Sequence, residues 1–342
     1  MRIGIVGTGA IAQKHAQAWR NIGFPIAACT NRNPDRGRNF AARWNCPFID
    51  DWRDLIAHPQ VDAVDICTLP GFRLPLVEAC AAAGKPVQVQ KPMATNTAAA
   101  ARMIESARAA GITLGVVSQH RFDESAQFLK RAIGDGRLGR ILQADAYIKW
   151  FRPDSYYAKP GKGTWVDEGG GALINQGIHS LDLLLWLAGR VQFVSAEWQL
   201  GAAHAIETED IVNALFRYES GATGVIQAST AFRPGYPERI EIHGTTGTAV
   251  IAGDRLVSWD LELDFGERPP IQTAGASGAS DPLAISLTPF ELQFRDFIDA
   301  VQRGRAPLVS DQDGYQALAL VEAIYRSCFE NRRTEPKASW NL

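Results

Sequence analysis

Residues 2–12, RIGIVGTGAIA, decide the fold of this chain of 342 residues. The apolar run at 2–6 predicts a strand, the pattern at 10–21 predicts a helix, and the turn between them fits G-x-G-x-x-G/A. Gly7 permits a tight turn, Gly9 lets the backbone approach a pyrophosphate, and Ala12 is small enough for helix and strand to pack closely. The free N–H groups at the helix start would then hold the phosphates of a dinucleotide. The candidate cofactor contacts of this stretch are Gly7, Thr8, Gly9, Ala10, Ile11 and Ala12.

Outward from this stretch, strand and helix patterns alternate as far as residue 120. Strands separated by helices of this length indicate a parallel sheet. We therefore expect an α/β fold with a Rossmann dinucleotide-binding domain at 1–120. The further predicted strands are Pro25–Thr30, Val61–Cys67, Pro86–Gln90 and Ile112–Ser118, and the further predicted helices are Leu74–Ala83 and Ala98–Ala110.

The pattern changes near His120, where we place the domain boundary. Strand patterns then follow one another through turns that contain glycine, which is typical of an antiparallel sheet. We therefore expect a second, α+β domain at 121–342, with a mobile loop at 266–282 that is rich in Gly, Ser, Ala and Pro. Its predicted helices are Glu124–Ile133, Gly171–Ala188, Pro289–Arg303 and Asp311–Asn331, and its predicted strands are Ile141–Trp150, Gln192–Leu200, Ile211–Tyr218, Thr223–Thr230, Arg239–His243, Thr248–Ala252 and Arg255–Trp259.

Composition limits the classes of partner. Lys plus Arg total 35 and Asp plus Glu total 37, so the formal net charge is −2. A protein that binds nucleic acid usually carries a basic excess, so we expect no nucleic-acid partner. The longest apolar run, 183–188, is too short to span a bilayer, and the first residues show no charged and then apolar leader. Five scattered cysteines without a CxxC pair indicate reduced thiols, so we expect a cytoplasmic protein.

The end of the second predicted strand bears on the choice between NAD and NADP. An acidic residue there binds the ribose 2′-hydroxyl of NAD and repels the 2′-phosphate of NADP. Residues 30–34 read TNRNP, in which Asn31 tolerates a phosphate and Arg32 can pair with one. We therefore expect NADP in preference to NAD. The alternative is that Arg32 is a solvated residue of the turn and NAD is used.

Three further segments are distinctive: 83–92 (AGKPVQVQKP), 169–182 (GGGALINQGIHSLD) and 237–244 (PERIEIHG). Together with the nucleotide turn, and in this order over nearly the whole chain, they resemble the glucose–fructose oxidoreductase / inositol dehydrogenase / rhizopine-catabolism (Gfo/Idh/MocA) family. The resemblance implies a Rossmann domain followed by a domain whose open, mostly antiparallel sheet supports a homodimer or homotetramer. It also implies NAD(P)-dependent interconversion of a secondary alcohol and a ketone on the ring of a sugar, an inositol or a sugar derivative.

That chemistry requires a base for the hydroxyl proton and a group that steadies the reacting oxygen. His179 can be the base, because imidazole titrates near neutrality. Lys91 follows a strand at its carboxyl end, where open α/β sheets bind ligands, and its ammonium can stabilise developing alkoxide charge. Asn175 lies four residues before His179, on the same helix face, and can position substrate or His179. We expect no metal, since His179 and Asp182 share a face but no third ligand is evident in the sequence.

Three residues depart from the family's usual pattern. Gln90 replaces the Glu of Glu-Lys-Pro, Asn175 replaces an Asp, and Arg73 stands where many members have His. We expect Gln90 to position Lys91 or the nicotinamide ribose, with a plain strand end as the alternative. The remaining candidate cofactor contacts are Thr68, Leu69, Gln90 and Lys91.

Aromatic and basic residues at the domain border and before the predicted catalytic helix are candidate substrate contacts. Aromatic faces with scattered Lys and Arg suit a hydroxyl-rich ring, but the same residues could line a sheet face or a subunit contact. His120 and Arg121 either reach the substrate or form a structural pair. The full candidate set is His120, Arg121, Trp150, Arg152, Tyr157, Trp165, Asn175, His179 and Arg233.

Two alternative functions stay open. Arg73, Lys162 and Arg233 leave room for an anionic substrate, so a nucleotide-sugar or sugar-acid dehydrogenase is the first alternative. The substitutions at positions 90 and 175 motivate the second, an NAD(P)-binding regulator that has lost catalysis. The presence of both Lys91 and His179 argues against that regulator.

Overall fold

The computed structural model describes residues 1–263 and 286–336, so the loop predicted at 266–282 lies outside the described residues. The contacts divide the chain into two units. Met1–Gln119 and Ser286–Tyr315 form the first unit. His120–Ile285 and Gln316–Leu342, as far as they are described, form the second.

A five-stranded parallel sheet forms the centre of the first unit. Its strands are β1 Ile3–Val6, β2 Ile26–Thr30, β3 Ala63–Ile66, β4 Val87–Val89 and β5 Leu114–Val116, and its helices in this part are α1 Ala10–Asn21, α2 Pro34–Trp44, α3 Trp52–Ala57, α4 Arg73–Ala82 and α5 Thr97–Ala109. Nearly every strand residue is buried, as in a parallel sheet covered on both faces. This sheet confirms the predicted Rossmann-like domain, although the sequence patterns do not predict α2 and α3.

The strand order of this sheet is β2-β1-β3-β4-β5, and all neighbouring strands run parallel. The chain therefore winds outward from β1 to β2 and then returns to the other side of β1 to form β3. Open sheets bind ligands at such a point of reversal, beyond the carboxyl ends of the two central strands. The glycine turn at 7–9 follows β1, and Thr68 and Leu69 come soon after β3, so both candidate segments lie at this point.

The second unit contains a seven-stranded sheet. In chain order its elements are α6 Glu124–Gly134, β6 Ile141–Lys149, α7 Asp154–Tyr157, α8 Trp165–Glu168, a π-helical segment Leu173–Gly177, α9 Ile178–Ala188, β7 Val191–Leu200, β8 Glu209–Tyr218, β9 Thr223–Ser229, β10 Arg239–Gly244, β11 Gly247–Ala252 and β12 Arg255–Leu261. The strand order is β12-β11-β10-β6-β9-β8-β7, and only β6 and β9 pair in parallel among the described strands. The predicted, mostly antiparallel sheet is confirmed.

One face of this second sheet is covered and the other is open. Along β8, Val212, Ala214 and Phe216 are buried, whereas Asn213 and Leu215 between them are exposed. Helix α9 packs on the covered face, against β6. Among the described residues, no helix combines the length and the apolar character that a membrane crossing needs.

Helix α10, Thr288–Arg303, belongs to the first unit, although the sequence patterns predict a second domain over all of 121–342. Its apolar face packs on α1, where the ring of Phe294 stacks on Trp19 with centroids 4.3 Å apart. The Gln293 amide donates to Val116 O at 2.8 Å, at the end of β5. Burial of these aromatic rings explains why a single cut of the chain does not separate the units. The last helix, α11, covers Asp311–Glu330.

Candidate active site

The turn after β1 leaves room for an anionic ligand. Gly7 has a φ of +90°, which side chains rarely adopt, and a Cβ there would lie 3.1 Å from the backbone of Cys67 and Thr68. Gly9 precedes α1 in an extended conformation, and a Cβ added to it would meet no atom within 4 Å. The backbone at the start of α1 therefore borders open space, where its N–H groups can receive a phosphate.

Two threonine hydroxyl groups lie close to this turn in the sequence and at the end of β3. Thr8 Oγ1 and Thr68 Oγ1 are buried, and neither has a hydrogen-bond partner among the described residues. A buried hydroxyl without a partner costs free energy unless a ligand completes it. Together with the start of α1, these groups fit a pyridine dinucleotide, whose phosphates residues 7–12 and Thr68 would hold.

The end of β2 carries the residues that bear on the type of cofactor. Asn31 Nδ2 donates to Asn33 O at 3.1 Å, and Asn33 in turn caps α2 through the N–H of Arg36. The guanidinium of Arg32 is exposed and lies over the ring of Phe72, 5.0 Å from its centroid. Arg32 is thus held at the surface beside the β2 end by an aromatic face.

The backbone around Lys91 is fixed on both sides. Its N–H donates to Gln90 Oε1 at 2.8 Å, and Gln90 Nε2 lies 2.9 Å from His15 Nε2. On the other side, the buried guanidinium of Arg73 donates to the carbonyls of Gln90 and Pro92, and through Nε to Thr68 O at 3.1 Å. These hydrogen bonds therefore hold the backbone from which the Lys91 side chain extends, at the carboxyl end of β4.

The structure does not support Arg73 as a residue that binds an anionic substrate. Its side chain is buried, and burial lowers the pKa of the guanidinium to about 9. Its donors go to backbone carbonyls at the ends of β3 and β4. Arg73 therefore joins two loops of the first unit and is not open to a substrate carboxylate or phosphate.

In the second unit, a run of three glycines at 169–171 leads into the π-helical segment. A Cβ at Gly171 would lie 1.9 Å from Glu209 O, so only glycine permits this approach to β8. The buried carboxylate of Glu209 accepts hydrogen bonds from Gly171 N, Leu173 N and Tyr325 Oη, each at 2.8 Å. Burial raises the pKa of Glu209 to about 7. Glu209 therefore holds the start of the segment that leads to α9.

The prediction of one regular helix over 171–188 is wrong at its start. Residues 173–177 are π-helical, and α9 begins only at Ile178. Hydrogen bonds of a π-helix close after five residues instead of four, so Asn175 and His179 are not one regular turn apart. The Asn175 amide donates to Gly170 O at 3.2 Å. Single π-turns of this kind occur frequently at functional sites.

His179 is half-buried near the start of α9 and packs against a second histidine. The ring centroids of His120 and His179 are 5.0 Å apart, with an interplanar angle of 84°. His120 Nδ1 lies 2.7 Å from Asp123 Oδ2, and both of these side chains are largely shielded from solvent. The Asp123 carboxylate therefore orients His120, which fixes one side of the His179 ring.

Arg121 is the structural member of the His120–Arg121 pair. Its Nε donates to Asp182 Oδ2 at 2.7 Å and its Nη2 to Asp182 Oδ1 at 2.6 Å. Both side chains are buried, and the guanidinium also lies over the ring of Trp186. This buried bidentate pair engages both groups, so it favours the structural alternative for Arg121, and Asp182 serves as its ion-pair partner.

Three of the predicted substrate contacts lie in the segment that follows β6. The Arg152 guanidinium lies 4.9 Å from the ring centroid of Trp150 and 5.7 Å from that of Tyr156. The Tyr157 hydroxyl lies 2.7 Å from the hydroxyl of a buried threonine, and burial raises its pKa above the ordinary range. Gln176 Nε2 donates to Tyr156 Oη at 3.2 Å. Trp150, Arg152 and Tyr157 thus form one cluster that is connected to the π-helical segment.

Three other predicted residues have different surroundings. Lys162 forms an ion pair with the buried carboxylate of Glu168, so it is not open to an anionic substrate. Trp165 packs in an aromatic cluster, with ring centroids 5.8 Å from Trp198 and 5.4 Å from Tyr325. The Trp165 ring is half-buried in this cluster, and its role as a substrate contact stays a prediction. Arg233 is exposed and lies 4.0 Å from the ring centroid of Phe151.

Two buried titratable residues, His15 and Glu209, are not among the predicted site residues, although the sequence pattern around each one points to it. His15 stands on the buried stripe of α1, together with Ala12, Ala16 and Trp19. Glu209 lies two residues before the strand predicted at 211–218 and is the first residue of β8. A titratable residue at a buried position must find hydrogen-bond partners inside the protein. Its occurrence in an otherwise apolar pattern is therefore a signal that the sequence contains.

Family models match both halves of the chain. Residues 1–118 match the model described as oxidoreductase family, NAD-binding Rossmann fold. Residues 126–250 match the GFO/IDH/MocA C-terminal domain. The two matches have the order that the sequence resemblance implies.

Individual proteins agree with these matches. The chain is similar to myo-inositol 2-dehydrogenase of Thermotoga maritima, at 30% identity over 97% of each chain. It is also similar to D-apiose dehydrogenase of Paraburkholderia graminis, at 31% identity over 98% of this chain and 89% of that one. The crystal structure of the WlbA dehydrogenase of Bordetella pertussis, in complex with NADH and UDP-GlcNAcA, has a TM-score of 0.87 and 30% identity over 100% of this chain and 99% of that one. The chain therefore belongs to the Gfo/Idh/MocA family of oxidoreductases, with an NAD-binding Rossmann domain.

Proposed function

We propose that this protein is an NAD(P)-dependent dehydrogenase that interconverts a ring secondary alcohol and the corresponding ketone of a sugar, an inositol or a sugar derivative. The observation that carries the proposal is the rigid placement of Lys91 just beyond β4, in the same unit as the phosphate-binding turn. The named activities of the similar dehydrogenases support the substrate class.

In the proposed mechanism, a bound nicotinamide supplies the acceptor or donor of hydride. The Lys91 ammonium orients the reacting oxygen and stabilises the negative charge that develops on it. His179 takes the hydroxyl proton during oxidation and returns it during reduction, with its ring steadied by His120. Asn175 carries no exchangeable charge, so it serves to position the substrate.

We propose that the substrate is a neutral, hydroxyl-rich ring. Two of the three cations that would suit an anion, Arg73 and Lys162, are bound to protein groups. The proposed substrate contacts are His120, Trp150, Arg152, Tyr157, Trp165, Asn175, His179 and Arg233. The exposed Arg233, and the UDP-GlcNAcA bound in the WlbA structure, favour a nucleotide-sugar or sugar-acid substrate as the second candidate.

For the cofactor, we propose that the site accepts NADP in preference to NAD. The support is the exposed Arg32 guanidinium beside the end of β2, together with an amide at position 31 in place of an acid. We further propose a cytoplasmic homodimer or homotetramer. The five free thiols suit a reducing compartment, and the open face of the second sheet offers a self-association surface.

A panel of inositols, sugars, sugar acids and nucleotide sugars, with both cofactors and followed at the nicotinamide absorbance, tests the proposal. Lys91→Ala and His179→Ala should each lower kcat by at least about 100-fold. The matched controls are Lys85→Ala, at the amino end of β4, and His243→Ala on β10, and both should stay within about twofold of the parent. Full turnover in Lys91→Ala or His179→Ala would overturn the mechanism, and no turnover with any panel member would favour the regulator.

A further inference from the structure

We propose that Asp65, His15 and Gln90 form a hydrogen-bond relay with a single direction, and that His15 is a positioning residue for Lys91. The proposal rests on the role of Lys91 proposed above. Its three members come from β3, from α1 and from the residue after β4, so the relay connects three elements of the first unit.

The contacts form an unbroken chain. Lys91 N lies 2.8 Å from Gln90 Oε1, and Gln90 Nε2 lies 2.9 Å from His15 Nε2. His15 Nδ1 lies 2.8 Å from Asp65 Oδ2, which also accepts a hydrogen bond from Trp19 Nε1 at 2.7 Å. Each of these distances is that of a good hydrogen bond.

The chemistry of the groups fixes the direction of every bond. The Lys91 N–H can only donate, so the oxygen of the Gln90 amide must face it and the NH₂ must face His15. His15 Nε2 must then carry a lone pair, which places the imidazole proton on Nδ1, where it is donated to the Asp65 carboxylate. All donation therefore runs from Lys91 towards Asp65, and each bond polarises the next.

The surroundings of the relay make it rigid. The side chains of His15, Asp65 and Gln90 are all buried. The rings of Phe290 and Phe294 on α10 pack against His15, with centroids 5.4 and 5.0 Å from the imidazole. In an apolar setting an unsatisfied partner is costly, so a change of tautomer at His15 or a flip of the Gln90 amide is opposed.

The relay also accounts for the amide at position 90. That side chain must accept a hydrogen bond from Lys91 N and donate one to His15. A glutamine does both, whereas an ionised glutamate only accepts and would require a proton on His15 Nε2 as well. The departure of Gln90 from the usual Glu of the family is thus matched to a neutral His15.

A bound metal is the competing explanation for this cluster. Ligand atoms of His15, Asp65 and Cys67 lie within 4.8 Å of one another. However, Asp65 Oδ2 already receives two N–H donors, and burial together with the Asp65 charge raises the pKa of Cys67, which favours the thiol over the thiolate that a metal prefers. We therefore assign the cluster to hydrogen bonding.

The first test measures the tautomer directly. Long-range proton–nitrogen NMR correlation of the full chain labelled at its six histidines, with His15 assigned by comparison with His15→Gln, reports which ring nitrogen is protonated. We expect proton on Nδ1 alone at pH 7.5, and the doubly protonated ring in Gln90→Glu. A wild-type His15 protonated on Nε2, or stoichiometric metal in the purified protein, would overturn the relay.

The second test measures Lys91. Lysines are reductively methylated with ¹³C-formaldehyde, and the Lys91 signal is assigned by its loss in Lys91→Arg. His15→Phe should move this signal by more than its line width, and His15→Gln, which can donate to Asp65 and accept from Gln90, should restore it. Trp19→Phe is the matched control, because it removes another buried hydrogen bond to Asp65 without touching Gln90. An unchanged signal in His15→Phe, or an equal shift in Trp19→Phe, contradicts the proposal.

Kinetics separate failure of the relay from failure of the proposed function. If Lys91 is catalytic, His15→Phe should lower kcat roughly 10- to 100-fold with KM within about twofold, since misplacement of a catalytic group acts on the chemical step. Loss of activity in Lys91→Ala with full activity in His15→Phe would refute the relay alone. Full activity in Lys91→Ala would refute the function, while the two NMR readouts would still decide the relay. If His15→Phe does not fold, the wild-type tautomer and Gln90→Glu decide it.

Discussion

Replacement of Glu209 by glutamine should change how the stability of the second unit depends on pH. Burial raises the pKa of this carboxyl from 4.5 to about 7 in the folded protein. The folded state therefore holds the proton more tightly than the unfolded state does. The resulting stabilisation is fully present below pH 4.5 and is lost as the pH rises through 7.

The magnitude follows from the size of this shift. Between pH 5.5 and pH 8, the wild-type protein should lose about 2 kcal/mol of unfolding free energy through this one group. Glutamine does not titrate, so Glu209→Gln should lack this part of the slope. Its oxygen can still accept from Leu173 N and Tyr325 Oη, but its NH₂ faces Gly171 N–H, so a further loss of about 1–3 kcal/mol should appear at every pH.

Urea unfolding followed by tryptophan fluorescence at pH 5.5 and 8 measures this difference. Trp165 and Trp198 pack against Tyr325, so their emission reports on the surroundings of Glu209. Glu219→Gln, in an exposed turn of the same unit, is the control and should keep the wild-type slope. Parallel pH profiles for the wild type and Glu209→Gln would refute the reasoning.

Two further substitutions test other parts of the structure. Arg121→Met removes the bidentate partner of the buried Asp182 and should lower the free energy of unfolding by about 3–5 kcal/mol, whereas Arg121→Met with Asp182→Leu should recover most of it. Urea unfolding of both variants checks this, and equal losses would contradict the ion-pair interpretation. Arg32→Ala should raise the Kd for NADPH about tenfold and change that for NADH less than about twofold, since one charge-assisted contact is lost. Fluorescence titration measures both values, and a parallel change in the two would count against the NADP preference.

The parts of the fold that could be predicted are those that residues close together in the sequence determine. The helix predicted at 10–21 has the observed bounds of α1, because a glycine turn and an apolar stripe mark it within a dozen residues. The alternating patterns of the second half likewise specify strands, since burial of one face requires a period of two. Family resemblance supplied the candidate catalytic pair, which periodicity alone does not identify.

The partners of charged residues could not be predicted in the same way. Whether a cation is available to a ligand depends on groups that folding brings near it. Arg121 meets Asp182 across 61 residues, and Arg73 meets the carbonyls of two loops. The π-helical turn at 173–177 depends likewise on a carboxylate from β8. The spacing of residues along the sequence does not show which distant groups folding brings into contact.

The assignment of α10 to the first unit has a consequence for biosynthesis. While the chain emerges from the ribosome, residues 1–119 are complete long before Phe290 and Phe294, which cover His15 and Trp19. Until then, the nascent Rossmann half lacks the rings that pack on His15 and Trp19, and it lacks Gln293, whose amide donates to Val116 O at the end of β5. This half should therefore mature only after translation of nearly the entire chain, and a chaperone that shields apolar surface should engage it in the interval.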